Sequence, residues 1–202
     1  MRPLRLASLS LAFAFVIVPQ LLHAQRPRPG IVEVSRSEGR GGFWASLALG
    51  VGGEQVNLSG DGLGYSDVIA RPVVDLALGG TIGQRLRLGG EYFALVNDSY
   101  NAVETISHIG VVAQYYPIRR SGLFLKGGVG LARSGVDYDF GGSVADYGVS
   151  GTVGLGWEAR IARHFYVVPE VNALIQSYSP SGPGYVERMG GLSIGFMYQH
   201  GR

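Results

Sequence analysis

The sequence contains no cysteine, which excludes a disulfide framework, a thiolate metal centre and attachment through a lipidated thiol. Charged residues make up only 16% of its 202 positions, below the roughly one quarter usual in soluble domains. Lysine and arginine form no cluster interleaved with aromatics and the formal net charge is only +2, so nucleic acid is not an expected partner. Long hydrophobic runs are missing beyond the N-terminus. There, residues 6–18 are apolar behind Arg2 and Arg5, a run shorter than the roughly 20 residues of a spanning helix. With Leu22-His23-Ala24 ahead of Gln25, this stretch reads as a secretory signal peptide. The expected organisation is a signal peptide at 1–24, a periplasmic linker containing proline and arginine at 25–41, and one domain at 42–202.

What the chain has in abundance is glycine, 33 residues against 9 prolines. It recurs at the close of an apolar/small alternation, as in Leu47-Ala48-Leu49-Gly50, Leu76-Ala77-Leu78-Gly79 and Leu192-Ser193-Ile194-Gly195. Alternation of this kind marks β-strands with one apolar face. Strands are predicted at 42–52, 73–81, 86–96, 105–116, 123–133, 146–160, 165–176 and 188–200, and no helix-period segment interrupts them. Most have about the 9 to 11 residues of a tilted membrane-crossing strand. Short connections (83–85, 117–122, 161–164) alternate with long ones (53–72, 97–104, 134–145, 177–187), as expected for periplasmic turns and external loops.

The faces decide which side meets lipid. In the fifth strand Leu123, Leu125, Gly127, Val129 and Leu131 oppose Phe124, Lys126, Gly128, Gly130 and Ala132, and the charges of other strands fall on the second kind of face. A basic side chain in lipid at mid-depth costs about 2 to 4 kcal/mol, so the set Asp75, Arg87, Glu91, Lys126, Glu158 and Glu170 faces inward. A soluble barrel with the faces exchanged would carry bulky polar residues where this chain has glycine, alanine and serine. Open sheet edges are not viable in lipid, so the strands close. The expected fold is all-β, an eight-stranded antiparallel up-and-down transmembrane β-barrel. Phe43, Tyr115, Trp157, Phe165, Phe196 and Tyr198 suit an inner aromatic girdle, with Tyr92 and Tyr147 towards the outer rim. Pro169, lacking an N–H, predicts a bulge or break in the seventh strand.

The signal peptide, eight strands and four long connections resemble the small outer-membrane barrel family typified by the transmembrane domain of outer membrane protein A and by outer membrane protein X. Ser193, Gly195 and Tyr198 in the last strand are similar to that family's assembly signal, although the sequence closes on Gln199-His200-Gly201-Arg202 where the family pattern has an aromatic. The resemblance implies residence in the outer membrane as a monomer, with lipid and the assembly machinery as partners.

Strand positions counted from the short turns place Arg87 and Arg160 near the periplasmic rim, Lys126, Glu158 and Gln114 deeper, and Glu91 and Glu170 at mid-height. Asp75, Arg87, Glu91, Lys126, Glu158, Arg160 and Glu170 are therefore expected to form an ion-paired lumen network, with Lys126 opposite Glu158, Glu91 or Glu170, because a buried charge without a partner is costly. The expected role is structural or surface-interacting, with a small water or ion pore as the alternative and a lipid-modifying enzyme as the third reading. Catalysis is not expected: Ser107 and His108 are neighbours on a strand and point to opposite faces. No cofactor or metal is expected, since Asp137 and Asp139 alone are too few ligands for calcium. Recognition of a surface protein or glycan is assigned to Asp137, Tyr138, Asp139 and Phe140 in the third external connection. Glu54, Asp61, Asp67, Asp98 and Glu104 are read as further acidic residues of the exterior.

Overall fold

The computed structural model describes residues 40–58, 64–99, 101–179 and 184–200. The predicted signal peptide, most of the linker, and Asp61 lie outside the described residues. The strands are β1 (Phe43–Leu58), β2 (Ile69–Gly83), β3 (Leu86–Ser99), β4 (Ala102–Tyr115), β5 (Leu123–Tyr138), β6 (Ser143–Trp157), the two-residue β7 (Ala159–Arg160), β8 (Phe165–Tyr178) and β9 (Tyr185–His200). All neighbours are antiparallel, and β1 pairs with β9 while β6 pairs with β8, closing the sheet. β6 and β7 share one place in the wall: Gly156 pairs with Glu170 and Ala159 with Val167, in a single continuous register. The barrel therefore has eight strand positions in its wall.

Tracing cross-strand partners once around fixes its shape. Phe43 leads to Gly80, Leu88, Ala113, Gly127, Val153, Ala173 and Gly190, and the circuit returns to β1 at Gly53, ten residues above its start. With a rise of about 3.3 Å per residue and strands about 4.8 Å apart, that stagger tilts the strands by roughly 40°. A barrel of this size has an interior that side chains fill.

The inside-out reading holds residue by residue. Leu49, Leu78, Val129, Val153, Leu192 and Ile194 are exposed, and the predicted girdle aromatics are exposed with them. Their strand neighbours point inward and are buried or half-buried. Glycine on the inner face lets backbone and bulky neighbours approach: a Cβ on Gly79 would stand 2.1 Å from the Leu88 carbonyl oxygen and 2.5 Å from the Gly89 Cα. Gly79→Ala is thus expected to force two strands apart, lowering stability by about 1–3 kcal/mol as other overpacking substitutions do, measurable as an earlier urea midpoint in detergent.

Two expectations need correction. Residues 97–104 and 134–145 are not long loops. β3 and β4 pair as far as Ser99 with Ala102, and β5 and β6 as far as Asp137 with Ser143. The ladders continue past the apolar belt into a region polar on both faces, where alternation no longer signals a strand. Around Pro169 β8 stays continuous and unbulged; the missing N–H instead interrupts the wall opposite it, between β6 and β7, as the absence of one ladder donor requires.

Candidate functional site

The lumen is built in layers, each contributed by several strands at one level. At the periplasmic end Arg87 of β3 is fully buried. It donates to the Glu158 carboxylate, to the Tyr116 hydroxyl at 2.7 Å and to Gln199 Oε1 at 2.6 Å. Arg40, just ahead of β1, closes the mouth from below. Its guanidinium lies 3.6 Å from the Tyr116 ring centroid, its Nε 3.6 Å from Glu158, and it donates to the Arg119 and Ser121 carbonyls. The last residues of the expected linker are therefore docked: Gln199 Nε2 also donates to the Gly41 carbonyl at 3.0 Å. Trp44, Phe124, Val168 and Met197 pack around these charges.

Above this level sits Lys126, the only lysine of the sequence. Its ammonium reaches Asp75 Oδ2 at 3.3 Å, Glu170 Oε1 at 2.6 Å, and Glu91 Oε1. His108 stands beside them, its Nδ1 2.5 Å from Ser150 Oγ and its Nε2 3.8 Å from Glu91 Oε2. A cap of Val73, Phe93, Leu95, Ile106, Leu174 and Met189 covers the cluster. A third set of charges lies above the cap: Arg71 reaches Glu54 at 2.9 Å and Glu104 at 2.8 Å, near buried Glu187, Gln176 and Tyr178.

Six of the seven predicted network residues are thus in the lumen, divided between two levels. Lys126 meets Asp75, Glu91 and Glu170, whereas Glu158 belongs to Arg87 and Arg40. Lys126 pairs across the ladder with Gly154, and Glu158 lies one level lower, its amide bonded to the Gly122 carbonyl. Arg160 stands apart, donating to the Ala162 and Arg163 carbonyls of the inner turn at 3.2 Å each. Glu54 and Glu104, expected in the exterior, belong to the upper charge layer, and Arg40, Arg71 and Glu187 join the lumen from segments read as linker or loop.

Asp137, Tyr138, Asp139 and Phe140 end the β5–β6 hairpin. Phe140 is 88% exposed and Tyr138 50%. Gly141 and Gly142, with φ of 92° and 102°, make the turn possible, and the Asp139 amide donates to the Asn101 carbonyl at 2.9 Å, tying it to the neighbouring hairpin.

Ser150, His108 and Glu91 stand in the order of a hydroxyl, an imidazole and a carboxylate. All three are buried, and a nucleophile needs a space in which a substrate carbonyl can sit beside it. None of the three borders the small space of about 20 Å³ between the two lower charge levels, which is lined by Asp75, Gln114, Glu158 and Glu170 and has room for a single water.

A comparison with functionally curated proteins finds no match. Among solved structures, Neisserial surface protein A is 18% identical and covers 81% of this chain and 100% of its own, with a TM-score of 0.60. Ail, the attachment invasion locus protein of Yersinia pestis, is 10% identical and covers 79% of this chain and 100% of its own, with a TM-score of 0.55. At these identities the likeness is one of fold. Residues 11–199 match the family described as "Outer membrane protein beta-barrel domain". An apolar exterior, a closed sheet, a polar interior and this match have one meaning: the chain belongs to the outer membrane protein beta-barrel family, as a small eight-stranded barrel of the bacterial outer membrane.

Proposed function

We propose that this protein is a closed, non-catalytic barrel that holds rigid β-hairpins at the cell surface for attachment to another macromolecule. The observation that carries the reading is the pairing of a filled lumen with an exposed hairpin tip. Two charge levels with bulky side chains packed around them, an apolar cap and a third charge level occupy the interior, while Phe140 and Tyr138 lie open to solvent above the membrane. Exposed aromatics on a rigid scaffold are suited to binding because little side-chain freedom is lost on contact. Ail is named as an attachment invasion locus protein, which agrees with such a role. Asp67, Asp98, Asp137 and Asp139 surround the tips and are exposed, so the favoured partner is a protein or glycan surface that is neutral or basic, not a polyanion. The barrel acts as a monomer, with lipid and the assembly machinery its other partners.

The test joins Ser134 to Asp146 through an Asn-Gly turn. Those residues are cross-strand partners, and a two-residue turn preserves their register. The shortened protein is expected to keep heat-modifiable migration on gels and to lose at least tenfold in cell attachment. Attachment that survives intact would remove this hairpin from the interaction. In planar bilayers neither form is expected to conduct above baseline; steady channel openings by the intact protein would favour the pore alternative.

A further inference from the structure

The three inner turns share a composition. Each carries at least one exposed arginine, Arg85 after β2, Arg120 after β4 and Arg163 after β7, and with it an isoleucine more than half exposed, Ile82, Ile118 and Ile161. Among the described residues no exposed acid accompanies them. The one acid at this end, Glu158, is buried and held by Arg87 and Arg40. The exposed acids Asp67, Asp98, Asp137 and Asp139 all lie at the opposite end, so the barrel is basic at its inner rim and acidic at its outer one.

The inner segments are also held to one another. The Tyr116 amide donates to the Arg85 carbonyl at 2.9 Å, the Glu158 amide to the Gly122 carbonyl at 3.0 Å, the Gln199 amide to the His164 carbonyl at 2.9 Å and the Thr81 amide to the Gly42 carbonyl at 2.9 Å. These bonds link each inner segment to the next, so the arginines stand on a fixed collar whose backbone needs little further ordering when a ligand arrives. Just above the collar the girdle rings Phe43, Tyr115, Trp157, Phe165 and Tyr198 are exposed, and rings of this kind mark the headgroup level. The turns therefore lie among the lipid phosphates, where the isoleucines give glycerol and the first acyl carbons an apolar contact.

Chemistry narrows the partner. The only lysine of the sequence is in the lumen, so these exposed cations are arginines, whose planar fork holds a phosphate through two parallel hydrogen bonds. A soluble anion would gain nothing from Ile82, Ile118 and Ile161, and a zwitterionic headgroup brings an ammonium that the guanidinium repels. We propose that the inner collar is a binding surface for anionic phospholipid of the periplasmic leaflet, a role separate from attachment at the outer tips. Its main place is the joined β2–β3 and β4–β5 turns, where Arg85 and Arg120 take the phosphate and Ile118 and Tyr115 the chains. Arg163 with Ile161 and Phe165 forms a second on the β7–β8 turn.

The test uses the full chain folded in detergent, with dioleoylphosphatidylglycerol and dioleoylphosphatidylcholine added in equal amounts and retained lipid counted by native mass spectrometry. One arginine near an anionic surface raises partition about fivefold, so phosphatidylglycerol is expected to be retained at least about fivefold over phosphatidylcholine. The triple variant Arg85→Gln, Arg120→Gln, Arg163→Gln should bring the ratio near unity with heat-modifiable migration unchanged. Arg133→Gln with Arg188→Gln, near the outer ends of β5 and β9, should leave the preference intact. Should the triple variant fail to fold, a photoactivatable phosphatidylglycerol on the unmodified protein decides: cross-links to the three inner turns support the collar, and cross-links confined to the outer half overturn it. An unmodified protein without preference, or a preference undiminished in the folded triple variant or abolished by the outer pair, equally overturns the proposal.

Discussion

Lys126→Met is expected to cost the barrel about 3–5 kcal/mol, the range for removing one partner of a buried ion pair. The Lys126 side chain is 2% exposed, and those of Glu91 and Asp75 are 1% and 6% exposed, so little water is available to screen what the lysine leaves behind. The loss would appear as a lower urea midpoint and a lower temperature of conversion to the unfolded gel band. Two double variants locate the coupling. Adding Glu170→Gln should recover part of the loss, because it removes one uncompensated charge from the same cluster. Adding Glu158→Gln should not, because Glu158 is bonded to Arg87 and Arg40 one level below, and groups without shared partners contribute additively. Recovery by Glu158→Gln and none by Glu170→Gln would contradict the pairing described above.

The second large effect belongs to the outer face. Val153 is 62% exposed and lies midway along the outward row Val149, Gly151, Val153, Leu155 and Trp157 of β6. Val153→Arg is expected to destabilise the folded barrel in lipid by about 2–4 kcal/mol, the cost of a basic side chain at the bilayer midplane. Tyr147→Arg, on the same face where β6 leaves the belt, should cost only about 0–1 kcal/mol because the guanidinium there reaches headgroups and water. Refolding yield into vesicles and urea midpoints measure both. A barrel indifferent to Val153→Arg, or one hurt equally by Tyr147→Arg, would mean that this face does not meet hydrocarbon.

The faces were legible in the sequence because lipid imposes a contrast that two-residue periodicity displays: Lys126, Glu91 and Glu170 had to share the side away from Val129, Tyr92 and Val171. Levels were harder to read. Counting from the turns put Lys126 and Glu158 at similar depth, but the strands tilt and the ladder sets Gly154, not Glu158, beside Lys126. Arg160 has the right parity for the lumen, yet it lies so close to the inner turn that the carbonyls of that turn reach it before any acid does. Arg71, Glu54 and Glu187 went unread as lumen residues for a different reason. They lie where the strands have left the membrane, polar residues occupy both faces, and a ladder gives no hydropathy signal. Arg40 precedes the first strand, where no periodicity exists to place it. His108 falls on the inward face of its strand, but its nearness to Glu91 draws on two strands and follows only from their stagger.

Every seam of the barrel except one joins strands adjacent in the chain. The exception is β1 with β9, which brings Phe43 beside His200 and Leu58 beside Tyr185. Local hairpins form early because little chain entropy is lost in making them, whereas joining the two ends of the domain must await nearly the whole sheet. The slow step of folding is therefore expected to be a single zippering event between the first and last strands, starting from a curled ribbon with two free edges. Such edges cannot persist in hydrocarbon, so insertion and closure have to proceed together. Until that seam is made, Gln199 cannot reach Gly41, and the periplasmic mouth closes only when the ends of the domain meet.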